Sequence, residues 1–511
     1  MGQREYPYTN PRGGYFVYLV TSEQMRSFDH DTIETYRVPA IVLMDHAGRA
    51  VADAVLSHLP KAAVVVCGKG NNGADGWLCA RWLKRAGIAV SVVTLVDPAT
   101  LQSDARLAHS IADAAGVRWQ LYEPGVVREA VALAQATGKV AIVDAILGTG
   151  VSRPLTGDIA LVVDEINQAQ ADVVAIDVPT GVNASTGEVL GGAVQATTTV
   201  AMAAEKLGTA VTPGALYAGQ VRVADIGIEM RIDDAIAMYT HPALFRGQYG
   251  DRAVLTHKGS FGRVGIAVGT MTGAARLAAL AAAKVGVGMV VVGGEGAKGG
   301  EWAPDIVVRS QTEVPAAFAD CQAVVIGPGL GDRAHSAEAW LRQLAECGVQ
   351  RGAIDADALA FVAQGGRFMP VAGEYVLTPH PKEAARMLGW DVSTVQARRI
   401  EAAREIAMRS GAVALLKGYR TIIATPDGRL RVNPTGDASL AVAGTGDVLA
   451  GVVGSLLAQG LDAFAAASLG AWLHGRAGEL AGQALTRVSA TASDVVHELP
   501  NALKAYLQSL R

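Results

Sequence analysis

The sequence predicts an α/β protein of two domains, each with a mostly parallel sheet covered by helices on both faces. Three observations carry that expectation: Val/Ile-rich runs alternate with helical patterns, the 511 residues exceed what one hydrophobic core fills, and the alternation pauses once, over residues 229–253. Near-continuous apolar strands mark a sheet buried on both faces, because a strand with one wet face alternates polar and apolar residues instead.

In order, the runs of the first half are "AAVVVCG" (62–68), "AVSVVTLV" (89–96), "KVAIVDAIL" (139–147), "DVVAIDVP" (172–179) and "VRVADIGI" (221–228). The polar "EMRIDDAIAMYTHPALFRGQYGDRA" follows and reads as a linker, with the boundary near residue 240. The second half resumes with "RVGIAVG" (263–269), "VGMVVVGG" (287–294), "AVVIGPG" (323–329), "GAIDAD" (352–357), "YVLTPH" (375–380), "AVALLKG" (412–418) and "RTIIATPDG" (420–428).

Composition narrows the function. Half the residues are hydrophobic and 18% are charged, so both cores can be filled, and no composition typical of disorder appears beyond the first dozen or so residues. A net charge of −4 without a basic stripe argues against a nucleic-acid or membrane-surface partner and for a small molecule. Cys67, Cys79, Cys321 and Cys347 have neither disulfide-framework nor zinc spacing and read as buried thiols of a reducing compartment. "YFVYLV" is too short for a signal core, and "AARLAALAAAKVGVGMVVV" is interrupted by Arg276 and Lys284, so a cytoplasmic protein is expected.

In open α/β sheets ligands bind at the carboxyl ends of the strands. Three such ends in the first half are rich in oxygen. "GKGNNGADG" (68–76) is a Gly-rich strand-to-helix turn, a recipe for holding phosphate or simply for turning. "VDAILGTGVSRPLTG" brings Asp144, and "AIDVPTGVNASTG" brings Asp177 and Thr180. An amide oxygen, a carboxylate and a hydroxyl suit a hard cation, which leaves the other carboxylate for proton transfer. In the second half, "VAGTGDVLAG" (442–451) places Asp447 behind two glycines where a helix opens. Asp447 is either an N-cap carboxylate or a general base beside a bound phosphate.

With "VTSEQMRSFDHDTI", these first-half motifs resemble the Rossmann-like domain of the NAD(P)H-hydrate epimerases over about residues 15–235. The resemblance implies that Asn71, Asn72, Gly73, Ala74 and Asp75, with Gly148, Thr149, Gly150, Val151, Ser152, Arg153 and Pro154, hold the hydrated nucleotide. It further implies that Asn72, Asp144 and Thr180 hold a potassium ion and that Asp177 is the acid/base group. Ala74 stands where the family has glycine, and Asp45 and His46 replace Glu-Asn, with His46 expected at the crevice rim.

"KGSFGRVGIAVG", "IGPGLG", "DADAL", "TPHPKE", "KGYRT" and "GTGD" resemble the ribokinase-like fold over about 247–511, in its ADP- or ATP-dependent NAD(P)H-hydrate dehydratase branch. By that resemblance Asp447 is the catalytic base and, with Ala274, Gly329 and His380, contacts the hydrated nucleotide. Lys417, Gly418, Tyr419, Arg420, Thr421 and Gly446 hold the adenine nucleotide, which brings Mg2+. Lys382, Ala360 and Asp437 depart from the family pattern, and Asp437 would add negative charge near the nucleotide. The whole chain is therefore expected to be a bifunctional repair enzyme, and a homo-oligomer. The alternative is a ribokinase-like small-molecule kinase with a nucleotide-binding regulatory domain.

Overall fold

The computed structural model describes residues 17–233 and 236–510. The first residues of the expected first domain, and the polar opening before them, lie outside the described residues. The chain divides after Ala237 into two compact units.

In the first unit seven strands form an all-parallel sheet in the order 118–121, 89–94, 62–67, 140–145, 172–176, 198–202, 220–224. Side-chain alternation explains its three layers. Ala63, Val65 and Cys67 point into one apolar core and Ala62, Val64 and Val66 into another, on the opposite face. The chain runs outward from strand Ala62–Cys67 in one direction and from Val140–Ala145 in the other. A crevice therefore opens beyond the carboxyl ends of these two neighbours. A short strand, Tyr18–Val20, pairs in parallel with Glu205–Lys206 and sets Val20 opposite Lys206.

The second unit repeats the plan. Strands 306–308, 289–293, 263–267, 323–326, 351–354, 374–377 and 413–416 lie parallel in that order, and 422–424 and 430–432 continue antiparallel. Here the winding reverses between Arg263–Ala267 and Ala323–Ile326. Helix Thr445–Ala458 is buried over nearly its whole length, which is why "DVLAGVVGSLLA" carries no polar face.

The structure departs from the sequence reading in four places. The second unit starts earlier than residue 247: Ala237–Tyr239 pairs with Leu430–Val432, and Phe245 is wholly buried in its core. Strand Arg118–Leu121 was not expected, because all four residues are exposed at the sheet edge. Thr198–Met202 was missed because its threonines read as polar, whereas Thr199 is buried with its hydroxyl donated to the Ala218 carbonyl. Cys347 is exposed where a buried thiol was expected; the other three cysteines are buried, and all four are free.

Candidate functional site

In the first unit a cavity of about 350 Å³ occupies the crevice at the winding reversal. Asn71, Asn72 and Asp75 line it from one side, Gly148, Thr149 and Gly150 from another, and Asp177 from the third strand end. The expected binding loop 71–75 is helical, since helix Asn71–Arg85 begins at its first residue with Gly70 as an N-cap that offers no side chain. Two of its residues therefore face away from the cavity. A Cβ at Gly73 would lie 2.0 Å from the Gly68 carbonyl oxygen, so glycine is required by packing there. Ala74 is buried and its N–H donates to Gly70, a helical geometry that alanine suits, so its departure from glycine carries no strain. Val151, Ser152, Arg153 and Pro154 do not line the cavity either.

Asp177 has φ of 66°, the left-handed region in which Asp is among the few tolerated side chains. Its Oδ1 accepts from the Met202 N–H at 3.0 Å and from the ammonium of Lys206, a wholly buried lysine that the sequence reading missed. Asp144 and Thr180 lie behind the cavity, both fully buried. Asp144 accepts from the Thr180 hydroxyl at 2.7 Å, the Thr180 N–H at 2.8 Å and the Ile146 N–H at 3.2 Å. Burial pushes this carboxyl up to about 6 against those hydrogen bonds. Its donors are all neutral, and a buried Asn72 Nδ2 has no partner among the described residues. A buried carboxylate with only neutral donors and no cationic side chain bonded to it is a group whose charge a monovalent cation would balance. Of the two departures, Asp45 is satisfied by Arg81 (2.7 Å) and Trp82 (3.0 Å), and His46 bonds the Ile226 carbonyl outside the cavity.

In the second unit Gly444, at φ 93°, opens helix Thr445–Ala458 with no side-chain cap, so its first N–H groups are left for a ligand. Asp447 sits in this first turn and does not cap it. Burial pushes its carboxyl up to about 6, and Asp355, Asp357 and Glu383 add to that while Lys417 opposes it. Lys417 Nζ is 2.8 Å from Asp355 Oδ1 and 3.9 Å from Glu383. Burial opposes its charge, but the two carboxylates outweigh it and hold the ammonium above its ordinary range. Asp355 and Glu383 complete this charged cluster, and the sequence reading left both unassigned.

Beside this cluster a cavity of about 450 Å³ is lined by Lys417, Gly418, Tyr419, Thr421 and Gly446. Arg420 is not among its lining residues; its guanidinium stacks over Tyr239 at 5.2 Å, so it acts as a packing group. Asn433, Thr435 and His474 line the cavity unannounced by any motif. Asp437 also lines it, yet its charge is matched: despite partial burial, Ser439 and Arg487 (2.8 Å) hold the carboxyl below its usual range. His380 caps helix Pro381–Leu388, its Nδ1 accepting from Lys382 and Glu383, which leaves Nε2 to carry the proton. Ala274 and Gly329 abut at the winding reversal, where the Met271 N–H donates to the Gly329 carbonyl.

Over 96% of its length the chain is 38% identical to the bifunctional NAD(P)H-hydrate repair enzyme of Moorella thermoacetica, of which it covers 97%. It belongs to the bifunctional NAD(P)H-hydrate repair enzymes. The repair enzyme of Escherichia coli is 31% identical over 90% of this chain and 88% of its own. Residues 264–501 match the family model for NAD(P)H-hydrate dehydratase, and residues 40–208 that for the YjeF-related protein N-terminus. Among solved structures, the ADP/ATP-dependent NAD(P)H-hydrate dehydratase of Bacillus subtilis, co-crystallised with ATP/Mg2+, is 29% identical with a TM-score of 0.44. It covers 52% of this chain and 98% of its own. In this repair enzyme no described helix is long and apolar enough to cross a membrane. Among its described residues no three His, Cys, Asp or Glu side chains are grouped to hold a metal ion.

Proposed function

We propose that the first unit interconverts the R and S epimers of hydrated NADH and NADPH, and that the second dehydrates the S epimer at the expense of ADP or ATP. The observation that carries the second half of this reading is Asp447, half-buried in the first turn of an uncapped helix and beside Lys417. Uncapped N–H groups and an ammonium gather the charge of a transferring phosphoryl group, and a carboxylate within the same turn can take the proton from the attacking hydroxyl. The hydroxyl on C6 of the hydrated ring is a poor leaving group. As a phosphate ester it leaves readily, and the reduced nucleotide is regenerated.

Asp355 and Glu383 offer carboxylate oxygens that suit magnesium arriving with the nucleotide, whose bound charge would further neutralise the phosphates. In the first unit Asn72, Asp144 and Thr180 are the residues that would hold potassium, which would balance the buried Asp144 charge and stiffen the crevice wall. Supplying the pure S epimer with ADP or ATP and following NADH absorbance tests the dehydratase reading. A phosphorylated product that accumulates without NADH would mean a kinase instead. For the ion, Asp144→Asn should abolish the effect of potassium on hydrated-nucleotide binding, measured by titration with and without the salt.

A further inference from the structure

The motif "VTSEQMRSFDHDTI" lies before the three oxygen-rich strand ends. It forms helix Ser22–Glu34, which leaves the strand paired to Lys206 and carries Asp29 to the cavity already lined by Asp75, Asp177 and Lys206. Epimerisation at C6 needs two proton-handling groups, because one proton must leave the substrate while another is supplied.

Lys206 is not free to supply it. All three of its N–H bonds are committed, to Asp177, to the Met202 carbonyl at 2.7 Å and to the Ala204 carbonyl at 3.1 Å. It is a fixed charge that holds Asp177 Oδ1 in place. Asp177 spends only Oδ1 on these contacts; Oδ2 faces the Gly148 loop. Asp75 is partly exposed, but its Oδ1 is shut off from the cavity and unpartnered, and burial pushes its carboxyl well above the carboxylate range. Asp29 is partly exposed to the cavity, and its carboxylate has no hydrogen bond or ion pair among the described residues.

On the reading of this unit as an epimerase, the geometry points to Asp29 as its second catalytic residue, the proton donor that complements Asp177. The step balances without oxidant or reductant. The Asp177 carboxylate takes the C6 hydroxyl proton, the O–H pair becomes the carbonyl bond as C6–N1 breaks, and the pair left on N1 takes the proton of the Asp29 carboxyl. After rotation about C5–C6, N1 closes on the other face of the carbonyl. It returns its proton to Asp29, and Asp177 reprotonates the oxygen. Burial, opposed by Lys206 and assisted by Asp177, pushes Asp29 up to about 6, close enough to neutrality for the group to give and regain a proton.

The test uses the full chain, with proton NMR of epimer interconversion and, in the same preparation, thermal unfolding as the check on the first unit's fold and nucleotide-dependent dehydration of pure S epimer as that on the second. Asp29→Asn should slow interconversion at least ~100-fold with dehydration intact, and Asp29→Glu should recover part of it. Wild-type kcat/KM should fall as pH rises through about 6, where Asp29 loses its proton, and that limb should be missing from Asp29→Asn. Interconversion by Asp29→Asn within threefold of wild type, alongside loss in Asp177→Asn, would overturn the role of Asp29 and spare the epimerase reading. A loss that Asp29→Glu does not relieve, with the pH profile unchanged in shape, would make Asp29 structural and likewise overturn it. If the wild-type chain fails to interconvert the epimers, the epimerase reading itself is wrong and the proposal falls with it.

Discussion

Both units seat a lysine against an aspartate at the carboxyl edge of a parallel sheet, but the two lysines are committed to different degrees. Lys206 is wholly buried and bonded through all three N–H groups. Lys417 keeps part of its side chain in the open and makes one hydrogen bond, to Asp355, among the described residues. A saturated ammonium can only hold a neighbour in place. An unsaturated one still has donors to give to an incoming phosphate. On the proposed reading, the same pair of residue types would serve proton chemistry in one unit and phosphoryl chemistry in the other.

The sharpest way to break this contrast is a crossed pair of variants. Asp447→Asn should lower dehydration ~10²–10⁴-fold and leave epimerisation intact, and Asp177→Asn should do the reverse, as read by NADH absorbance and proton NMR. Asparagine tolerates the left-handed backbone of residue 177, so the second variant tests charge without disturbing the turn. Because Asp447 must be ionised to act, wild-type dehydration should also decline as pH falls through about 6.

Next in size is the loss of each lysine. Lys206→Met strands a buried carboxylate and should destabilise the first unit by ~3–5 kcal/mol, seen as a lowered transition in thermal unfolding. Lys417→Met should shift stability much less and instead raise the nucleotide concentration needed for half-maximal rate. Equal melting losses would erase the distinction between the two roles.

The units should also separate unequally. A fragment beginning at 238 should fold and dehydrate the S epimer. One beginning at 247 lacks Tyr239 and Phe245, and loss of the Phe245 side chain alone should cost ~3–5 kcal/mol in a urea melt. The smallest effect is expected for Arg487→Ala, whose exposed pairing with Asp437 is worth ~0–1 kcal/mol; releasing that negative charge beside the cavity should weaken nucleotide binding a few-fold.

What the sequence discloses follows from where its signals are local. Asp447 and Asp177 stand at strand or helix ends flanked by Gly, Thr and Pro, and such neighbours announce a turn that presents its side chains. Lys206 in "AAEKLG" and Asp29 in "RSFDHD" have no such neighbours, and their meaning comes from a pairing of strands some 185 residues apart in the chain. Asp355 and Glu383 lay inside recognised strings, yet only the fold shows that both face one lysine. Strand Ala237–Tyr239 was hidden because its register with Leu430–Val432 is set by contacts, while the surrounding composition reads as linker.

That last strand also sets a timetable. The first unit has all of its seven-stranded sheet once Ala224 has left the ribosome, but the strand that Ala237–Tyr239 joins in parallel in the second unit ends only at Val432. At ~5–20 residues per second the gap amounts to roughly 10–40 s of synthesis, during which the core that buries Phe245 is still incomplete. The enzyme is thus born in two instalments. A chaperone that shields nascent chains would find its longest-lived target in the short segment just after the first unit closes.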